Sequence, residues 1–172
     1  MLNDEAIIHP RLQHIGLTTA NLDRLAEWYR VVLCTRLVYL SGNPIGAPES
    51  GFKVRAGWFS NDAANHRIAV VEIPGLEFDK DRSKHTRLQH IAFEYRTLDD
   101  LLGTYARLKA LGIVPVLAVN EGAQTAFYYD DPDRNNVELG VSNFGDYRDN
   151  WSSIRAHAEL ARFRPQAARC RC

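Results

Sequence analysis

The segment Arg11-Leu12-Gln13-His14-Ile15 occurs twice in this chain of 172 residues, and its second copy, Arg87-Leu88-Gln89-His90-Ile91, begins 76 positions later. Matches at the same offset continue downstream. They pair Leu22-Asp23, Leu25 and Tyr29 with Leu98-Asp99, Leu101 and Tyr105. A five-residue identity that continues through a helix-like pattern indicates an internal duplication, and such a repeat outweighs any local signal in predicting the fold.

Both copies predict the same order of elements. A strand-like segment (12–18 and 88–95) precedes a helix-like segment (about 21–33 and 97–111), whose apolar residues recur every three or four positions. We expect Asn21 and Thr97 to cap the helices and Gly112 to end the second one. Short strands follow at about 36–40, 52–60, 66–73, 113–119, 125–130 and 135–141. The prediction is an α+β fold of two βαβββ modules, at about 11–73 and 87–141.

The rest of the chain is assigned by composition. The polar stretch 74–86 is expected to link the modules within one domain spanning residues 8–145, and residues 146–172 are expected to form a C-terminal helix and tail. Cys34 lies in an apolar stretch and is predicted to be a small core residue. Cys170 and Cys172 lie in the tail, outside any chemistry.

Charge and hydropathy exclude several classes of function. The 21 basic and 21 acidic residues balance, whereas a nucleic-acid-binding domain would be basic. No apolar run approaches the roughly 20 residues of a membrane span, and the first residues do not have the pattern of a signal peptide. We therefore expect a cytoplasmic protein whose partners are neither nucleic acids nor membranes.

Two histidines and one glutamate stand out against this background. His14 and His90 open the repeated strands, so they would converge in one cleft if the two sheets face each other. Glu138 lies on a short apolar strand, where an unpaired carboxylate is costly to bury. Two histidines and one carboxylate form a facial set that holds a divalent metal and leaves positions open for substrate and O₂. The sequence therefore predicts His14, His90 and Glu138 as metal ligands.

The duplication, the two His-opening strands and the stretch Tyr-Tyr-Asp-Asp-Pro-Asp-Arg-Asn-Asn-Val-Glu-Leu (128–139) resemble the vicinal oxygen chelate superfamily. Its members include glyoxalase I, fosfomycin- and bleomycin-resistance proteins and type I extradiol dioxygenases. The resemblance implies a cup-shaped mixed or antiparallel sheet around the metal site, and a homodimer. The His, His, Glu set resembles that of the extradiol enzymes and implies Fe(II), with Mn(II), Zn(II) and Ni(II) as alternatives.

The resemblance to extradiol enzymes also implies residue roles. His66 matches their acid/base histidine, and Tyr128 matches the tyrosine that hydrogen-bonds the substrate. Tyr129 alternates to the other face of the strand and is expected in the core. The implied enzyme is a ring-cleaving dioxygenase of aromatic catabolism, acting on a small aromatic diol with O₂. Two positions depart from the family pattern: Arg134 replaces a turn glycine, and Glu121 replaces a histidine.

Two alternatives follow from the same superfamily. A glyoxalase-like isomerase, epimerase or lyase would recruit a fourth ligand, for which Glu72 is the candidate because strand alternation places it on the face of His66. We expect Glu72 to lie beyond reach of the metal. Other members bind small molecules without catalysis, but the presence of His14, His90 and Glu138 together argues against that reading. His9, His85 and His157 are expected to be structural or surface residues.

Overall fold

Both halves of the chain fold in the order β-α-β-β-β. The computed structural model describes residues 10–41, 55–77 and 79–145, and the chain divides into two units between Lys80 and Asp81. The α+β fold class with two βαβββ modules is confirmed. The predicted C-terminal helix near 149–162, and with it Cys170, Cys172, His9 and His157, lies outside the described residues.

The first unit contains one helix and a four-stranded mixed sheet. Its elements are β1 (Ile15–Thr19), α1 (Leu22–Leu33), β2 (Arg36–Ser41), β3 (Arg55–Ser60) and β4 (Ile68–Glu72). The strand order is β1-β4-β3-β2, in which β1 runs parallel to β4 and the other neighbours are antiparallel. The connection between the parallel strands β1 and β4 consists of α1, β2 and β3, and α1 carries the chain from β1 to the far edge of the sheet.

The second unit repeats this topology. Its elements are β5 (Ile91–Tyr95), α2 (Leu98–Ala110), β6 (Leu117–Asn120), β7 (Gln124–Asp130) and β8 (Asn136–Ser142). The order is β5-β8-β7-β6, again with one parallel pair, β5 and β8. A short 3₁₀ helix at Arg82–Lys84 precedes β5. Identical strand orders in the two units are what a duplicated sequence predicts.

The helices begin where the sequence predicts. Asn21 Oδ1 accepts a hydrogen bond from the backbone N–H of Arg24 at 2.9 Å, and the hydroxyl of Thr97 accepts one from Asp100 N at 3.1 Å. Gly112 follows α2 with a φ of +78°, in the left-handed region that favours glycine. With 12 and 13 residues, neither helix in the described part of the chain is long and apolar enough to cross a membrane.

Each sheet buries one face against its own helix. In the first unit Gly57 lies beneath Leu22 of α1, and its strand partner Val70 is fully buried. In the second unit Phe127 stacks on Tyr105 of α2, with ring centroids 5.0 Å apart. Tyr129, on the same face as Phe127, is 1% exposed, as strand alternation predicts. We call these the helix faces. The side chains of the candidate site lie on the opposite faces of the sheets.

Two local predictions are wrong. Cys34 is exposed rather than buried in the core, because the chain leaves α1 there in a left-handed conformation with a φ of 54°. The strands that His14 and His90 were expected to open begin one residue later, at Ile15 and Ile91. Both histidines therefore lie in the loops that lead into parallel edge strands, where side chains are not held to strand alternation.

Candidate metal centre

Glu138 is the buried carboxylate of the second unit. It lies on β8, on the face opposite α2, and is 3% exposed. His90 Nε2 lies 3.0 Å from Glu138 Oε2, and His90 Nδ1 contacts Oε1 of Gln89. A carboxylate taken out of water requires a cation or several hydrogen-bond donors. The structure therefore brings together two of the three predicted metal ligands.

Gln124 fixes the other oxygen of Glu138 and was not predicted from the sequence. Its Nε2 donates to Glu138 Oε1 at 2.8 Å. Gln124 pairs with Ser142, four residues beyond Glu138 on β8, and Gly140 lies between these two positions on the same face. A Cβ at Gly140 would lie 3.4 Å from Glu138 Oε1, in van der Waals contact with the carboxylate. Gly140 therefore adjoins the carboxylate oxygen that accepts from Gln124.

Tyr128 adjoins the same pair. It is the direct antiparallel neighbour of Glu138, and its ring lies edge-on to His90 with centroids 5.7 Å apart. Burial, and then a hydrogen bond to Glu138, raise the pKa of Tyr128 to about 12. The phenol is therefore protonated near neutral pH, and its hydroxyl is a hydrogen-bond donor beside the carboxylate.

In the first unit, His14 and His66 lie together within a row of aromatic rings. Their centroids are 4.4 Å apart. Trp58 stacks on His66 with centroids 4.7 Å apart and an interplanar angle of 16°, and the centroid of Tyr39 lies 4.8 Å from that of Trp58. Burial, and then the charge of His14, lower the pKa of His66. His66 Nδ1 lies 2.7 Å from Asn65 Oδ1, which can only accept, so Nδ1 carries the proton and Nε2 has the free lone pair.

Glu72, the candidate for a fourth ligand, faces the other way. Its Oε2 accepts from the backbone N–H of Leu22 at 2.7 Å, and Arg55 Nη1 lies 3.7 Å from the same oxygen. Glu72 thus lies on the helix face and satisfies the start of α1. The expectation that it shares a face with His66 is wrong, because His66 precedes β4 and does not follow its alternation.

The sheet registers show what replaces Glu138 in the first unit. The parallel pairs begin at Ile15–Ile68 in one unit and at Ile91–Val137 in the other. The next residues, Ala69 and Glu138, are therefore counterparts. Their antiparallel partners are Trp58 and Tyr128. The position that carries a carboxylate in the second unit carries a methyl group in the first.

The turn before β8 is built around Asp131. Its Oδ1 accepts from the backbone N–H groups of Asp133 and Asn135, at 2.9 and 2.8 Å. Arg134, where the family pattern has glycine, adopts a left-handed φ of 63°. The turn therefore keeps its glycine-like backbone while it carries a guanidinium. His85, in the segment that leads to β5, is exposed as predicted.

The second unit contains a cavity of about 1400 Å³, which is lined by His90, Glu138, Gln124 and Tyr128 among others. An imidazole nitrogen and a carboxylate oxygen 3.0 Å apart, one of them almost fully buried, fit two ligands of a divalent metal. A complete group of three His, Cys, Asp or Glu side chains is not assembled within the described ranges. The chemistry of the donor pair fits a metal, and the role of His14 as third ligand stays a prediction.

A family model, that of the Glyoxalase/Bleomycin resistance protein/Dioxygenase superfamily, matches residues 11–139. The chain belongs to this superfamily. The match confirms the resemblance to vicinal oxygen chelate proteins, and it covers both repeats together with Glu138. The predicted extent of a single domain, residues 8–145, stays a prediction.

Two curated relatives in the superfamily are named biphenyl-2,3-diol 1,2-dioxygenase 3 and 2, both from Rhodococcus globerulus. They are 35% and 31% identical to this chain over 137 and 135 residues. The matched regions cover 80% and 78% of this chain, but 66% and 64% of the relatives. The chain thus spans slightly less than two thirds of the length of the curated relatives it matches.

Solved structures share the fold at lower identity. A glyoxylase/bleomycin resistance protein/dioxygenase domain from Frankia sp. EAN1pec is 19% identical, with a TM-score of 0.63, and the match covers 79% of this chain and all of that one. The fosfomycin resistance protein FosX from Listeria monocytogenes, solved with Mn(II), is 20% identical, with a TM-score of 0.58 and coverages of 83% and 98%. These likenesses show the fold alone.

Proposed function

We propose that this protein is an extradiol-type dioxygenase that uses a divalent metal, Fe(II), and O₂ to open the ring of a catechol-like diol. The observation that carries the proposal is the buried Glu138 carboxylate, paired with His90 and oriented by Gln124. The names of the two curated relatives, both biphenyl-2,3-diol dioxygenases, support this reaction over others of the superfamily.

His14, His90 and Glu138 are the proposed ligands. Gln124 holds Oε1 of Glu138 at 2.8 Å, which leaves Oε2 directed at His90 and at a metal bound there. Such a hydrogen bond fixes the orientation of the ligand and thereby the geometry of the site. When bound, Fe(II) supplies a place for the two diol oxygens and one-electron chemistry toward O₂.

Tyr128 and His66 have different tasks in this proposal. The Tyr128 hydroxyl, which is hydrogen-bonded to Glu138 in the structure, turns its one proton from that carboxylate to a diol oxygen in the cavity. His66 offers the lone pair of Nε2, because Nδ1 is bound to Asn65. It accepts the proton of a diol hydroxyl. The rings of His14 and Trp58 both contact the imidazole of His66 and hold it in place.

The superfamily alternatives are less compatible with the residues. An isomerase or epimerase with four protein ligands needs a carboxylate in the first unit, but Ala69 occupies the position that corresponds to Glu138. Glu72 is engaged with the start of α1. A binding protein without catalysis does not need a buried carboxylate beside an imidazole. The predicted homodimer and cytoplasmic location stay predictions.

The test is anaerobic reconstitution with Fe(II), followed by O₂ uptake with a panel of catechols. We expect stoichiometric O₂ consumption and a yellow ring-opened product. His66→Ala should keep its metal but turn over about 10²–10⁴-fold more slowly, as for loss of a general base. Turnover of a hemithioacetal with Ni(II) or Zn(II), without O₂ uptake, would instead establish the isomerase. Loss of metal in the His66 variant would show that His66 is a ligand.

A further inference from the structure

Each histidine that has a role in the proposed function directly follows a residue with a side-chain amide. These pairs are Gln13-His14, Asn65-His66 and Gln89-His90. The other three histidines of the chain follow residues without such a side chain, namely Ile8, Lys84 and Ala156. An amide oxygen accepts a hydrogen bond, and the bond made at one imidazole nitrogen decides which nitrogen carries the proton.

In two of these pairs the amide oxygen lies at the imidazole. His66 Nδ1 is 2.7 Å from Oδ1 of Asn65. His90 Nδ1 contacts Oε1 of Gln89, while Nε2 of the same ring lies 3.0 Å from Oε2 of Glu138. The amide binds Nδ1 in both rings, and in His90 this leaves Nε2 on the side of the buried carboxylate.

The loop that carries Asn65 is fixed by Asp62. Oδ1 of Asp62 accepts from the backbone N–H of Ala64 at 2.9 Å, and Oδ2 accepts from Nε and Nη2 of Arg67 at 3.0 and 2.8 Å. Ser60, which is fully buried, donates from Oγ to Oδ1 of Asp62 at 3.0 Å. These bonds hold the residues on both sides of Asn65, so the amide reaches the imidazole from a loop of defined conformation.

Stacking alone does not choose between the nitrogens of His66. Trp58 lies nearly parallel to the imidazole and restricts the plane of the ring. A half-turn of the ring about its Cβ–Cγ bond keeps that plane but exchanges the places of Nδ1 and Cδ2. The hydrogen bond to Asn65 exists in one of these two orientations, because a carbon cannot replace Nδ1 as its donor.

We infer that Asn65 and Gln89 are positioning residues. Each holds the proton on Nδ1 of the imidazole that follows it and thereby presents Nε2, as the base in His66 and as the ligand atom in His90. The inference rests on the proposed function and adds two residues to it. A histidine that binds a metal donates its other ring N–H to an acceptor, and this bond fixes the orientation of the ring.

The first test measures the tautomer of His66 and needs no metal. Long-range ¹H–¹⁵N spectra of the metal-free full chain are recorded at about pH 9, where an imidazole with the usual pKa of about 6.5 is neutral. We expect the proton on Nδ1, and loss of this preference in Asn65→Leu, which keeps a side chain of similar size without the acceptor. Asn65→Asp keeps an oxygen there and should restore it. Turnover of Asn65→Leu should fall about tenfold with KM unchanged, since one hydrogen bond is lost.

The second test measures the affinity for Zn(II) by competition with a metallochromic chelator. Gln89→Leu should weaken binding about 10–100-fold, the usual cost of losing a hydrogen bond to a metal ligand. Gln89→Glu keeps an acceptor oxygen and should recover the affinity. Gln89 and Asn65 are both exposed, so neither substitution disturbs the core. Asn61→Leu is the control for both tests, because Asn61 is an exposed amide of the same loop as Asn65. It should change neither result.

The outcomes separate this inference from the proposed reaction. A proton that stays on Nδ1 of His66 in Asn65→Leu, or a Zn(II) affinity that is unchanged in Gln89→Leu, would overturn the inference for that pair. Failure of the Asp and Glu variants to recover would also overturn it, because the effect would then not come from the acceptor oxygen. Both expected shifts without O₂ uptake on any catechol would reject the dioxygenase and leave the orientation of the two rings by their amides established.

Discussion

The two units of this protein have one topology and two different chemistries. In the second unit the partner of Tyr128 across the sheet is Glu138, and in the first the corresponding partner of Trp58 is Ala69. The helix of the first unit also buries more residues than that of the second. In α1 five residues are buried: Leu22, Leu25, Tyr29, Val32 and Leu33. In α2 two are buried: Leu101 and Leu108.

The difference shows that equivalent strands of a duplicated module can carry side chains with different roles. The first unit lays four aromatic rings, from His14 to Tyr39, over the face where the second unit places a carboxylate. The first unit also uses its own β4 glutamate, Glu72, to secure a helix. Equivalent strands can therefore carry either a ligand or a packing residue, and the register decides which of the two a glutamate becomes.

The largest expected effect tests that division directly. Glu138→Gln should abolish stoichiometric metal binding, because an amide is a poor ligand compared with a carboxylate and cannot balance the charge of the metal. Glu72→Gln is the matched control in the first unit and should retain full metal. Metal content after reconstitution, measured by elemental analysis, decides. Equal loss of metal in both variants would show that Glu138 and Glu72 do not differ in their effect on metal binding, and would contradict the role of Glu138 as a ligand.

An intermediate effect is expected at Gln124. Gln124→Leu removes the donor to Glu138 Oε1 and should weaken metal affinity about 10–100-fold, the usual cost of losing a hydrogen bond to a ligand. Gln124→Glu places a second carboxylate there and tests charge as well as geometry. Competition with a metallochromic chelator measures both affinities. An unchanged affinity in the leucine variant would mean that Glu138 is oriented by His90 and Tyr128 alone.

The smallest effect concerns the fold. Glu72→Ala removes the acceptor for Leu22 N–H and should lower the free energy of unfolding by about 1–2 kcal/mol, as for the loss of a helix cap. Metal content should stay the same. Urea denaturation of the metal-free protein measures the change, with Glu77→Ala, an exposed glutamate outside the strands, as the comparison. A stability equal to that of the Glu77 variant would contradict the role of Glu72.

The sequence predicted what repetition and local chemistry determine. The five-residue repeat predicted two units of equal topology, and Asn21 and Thr97 cap the helices as expected. His90 and Glu138, 48 positions apart in the chain, were predicted in one group and lie 3.0 Å apart, while their binding of a metal stays a prediction. These predictions succeed because capping and strand pairing follow from short-range patterns that the duplication shows twice.

What the sequence did not reveal depends on long-range register. Gln124 reaches Glu138 along one face of the β7–β8 pair, a relation that needs the register of these two strands. Alternation counted from His66 assigned Glu72 to the wrong face, because the chain does not enter β4 until Ile68. The left-handed turn at Cys34 moved an apolar-flanked cysteine to the surface. Each depends on where a strand or helix begins or ends, which a pattern of apolar residues locates only to within a few residues.

Arg134 has opposite consequences for the stability of the fold and for the charge of the cavity. A left-handed φ costs a non-glycine residue about 1 kcal/mol, so glycine at this turn would fold more favourably than the arginine that is there. The same arginine brings a guanidinium to the wall of the cavity. Replacing Arg134 by glycine to raise stability would therefore also remove a positive charge from the wall of this cavity. The backbone of one turn thus limits how far this protein can be stabilised without altering the charge of its cavity.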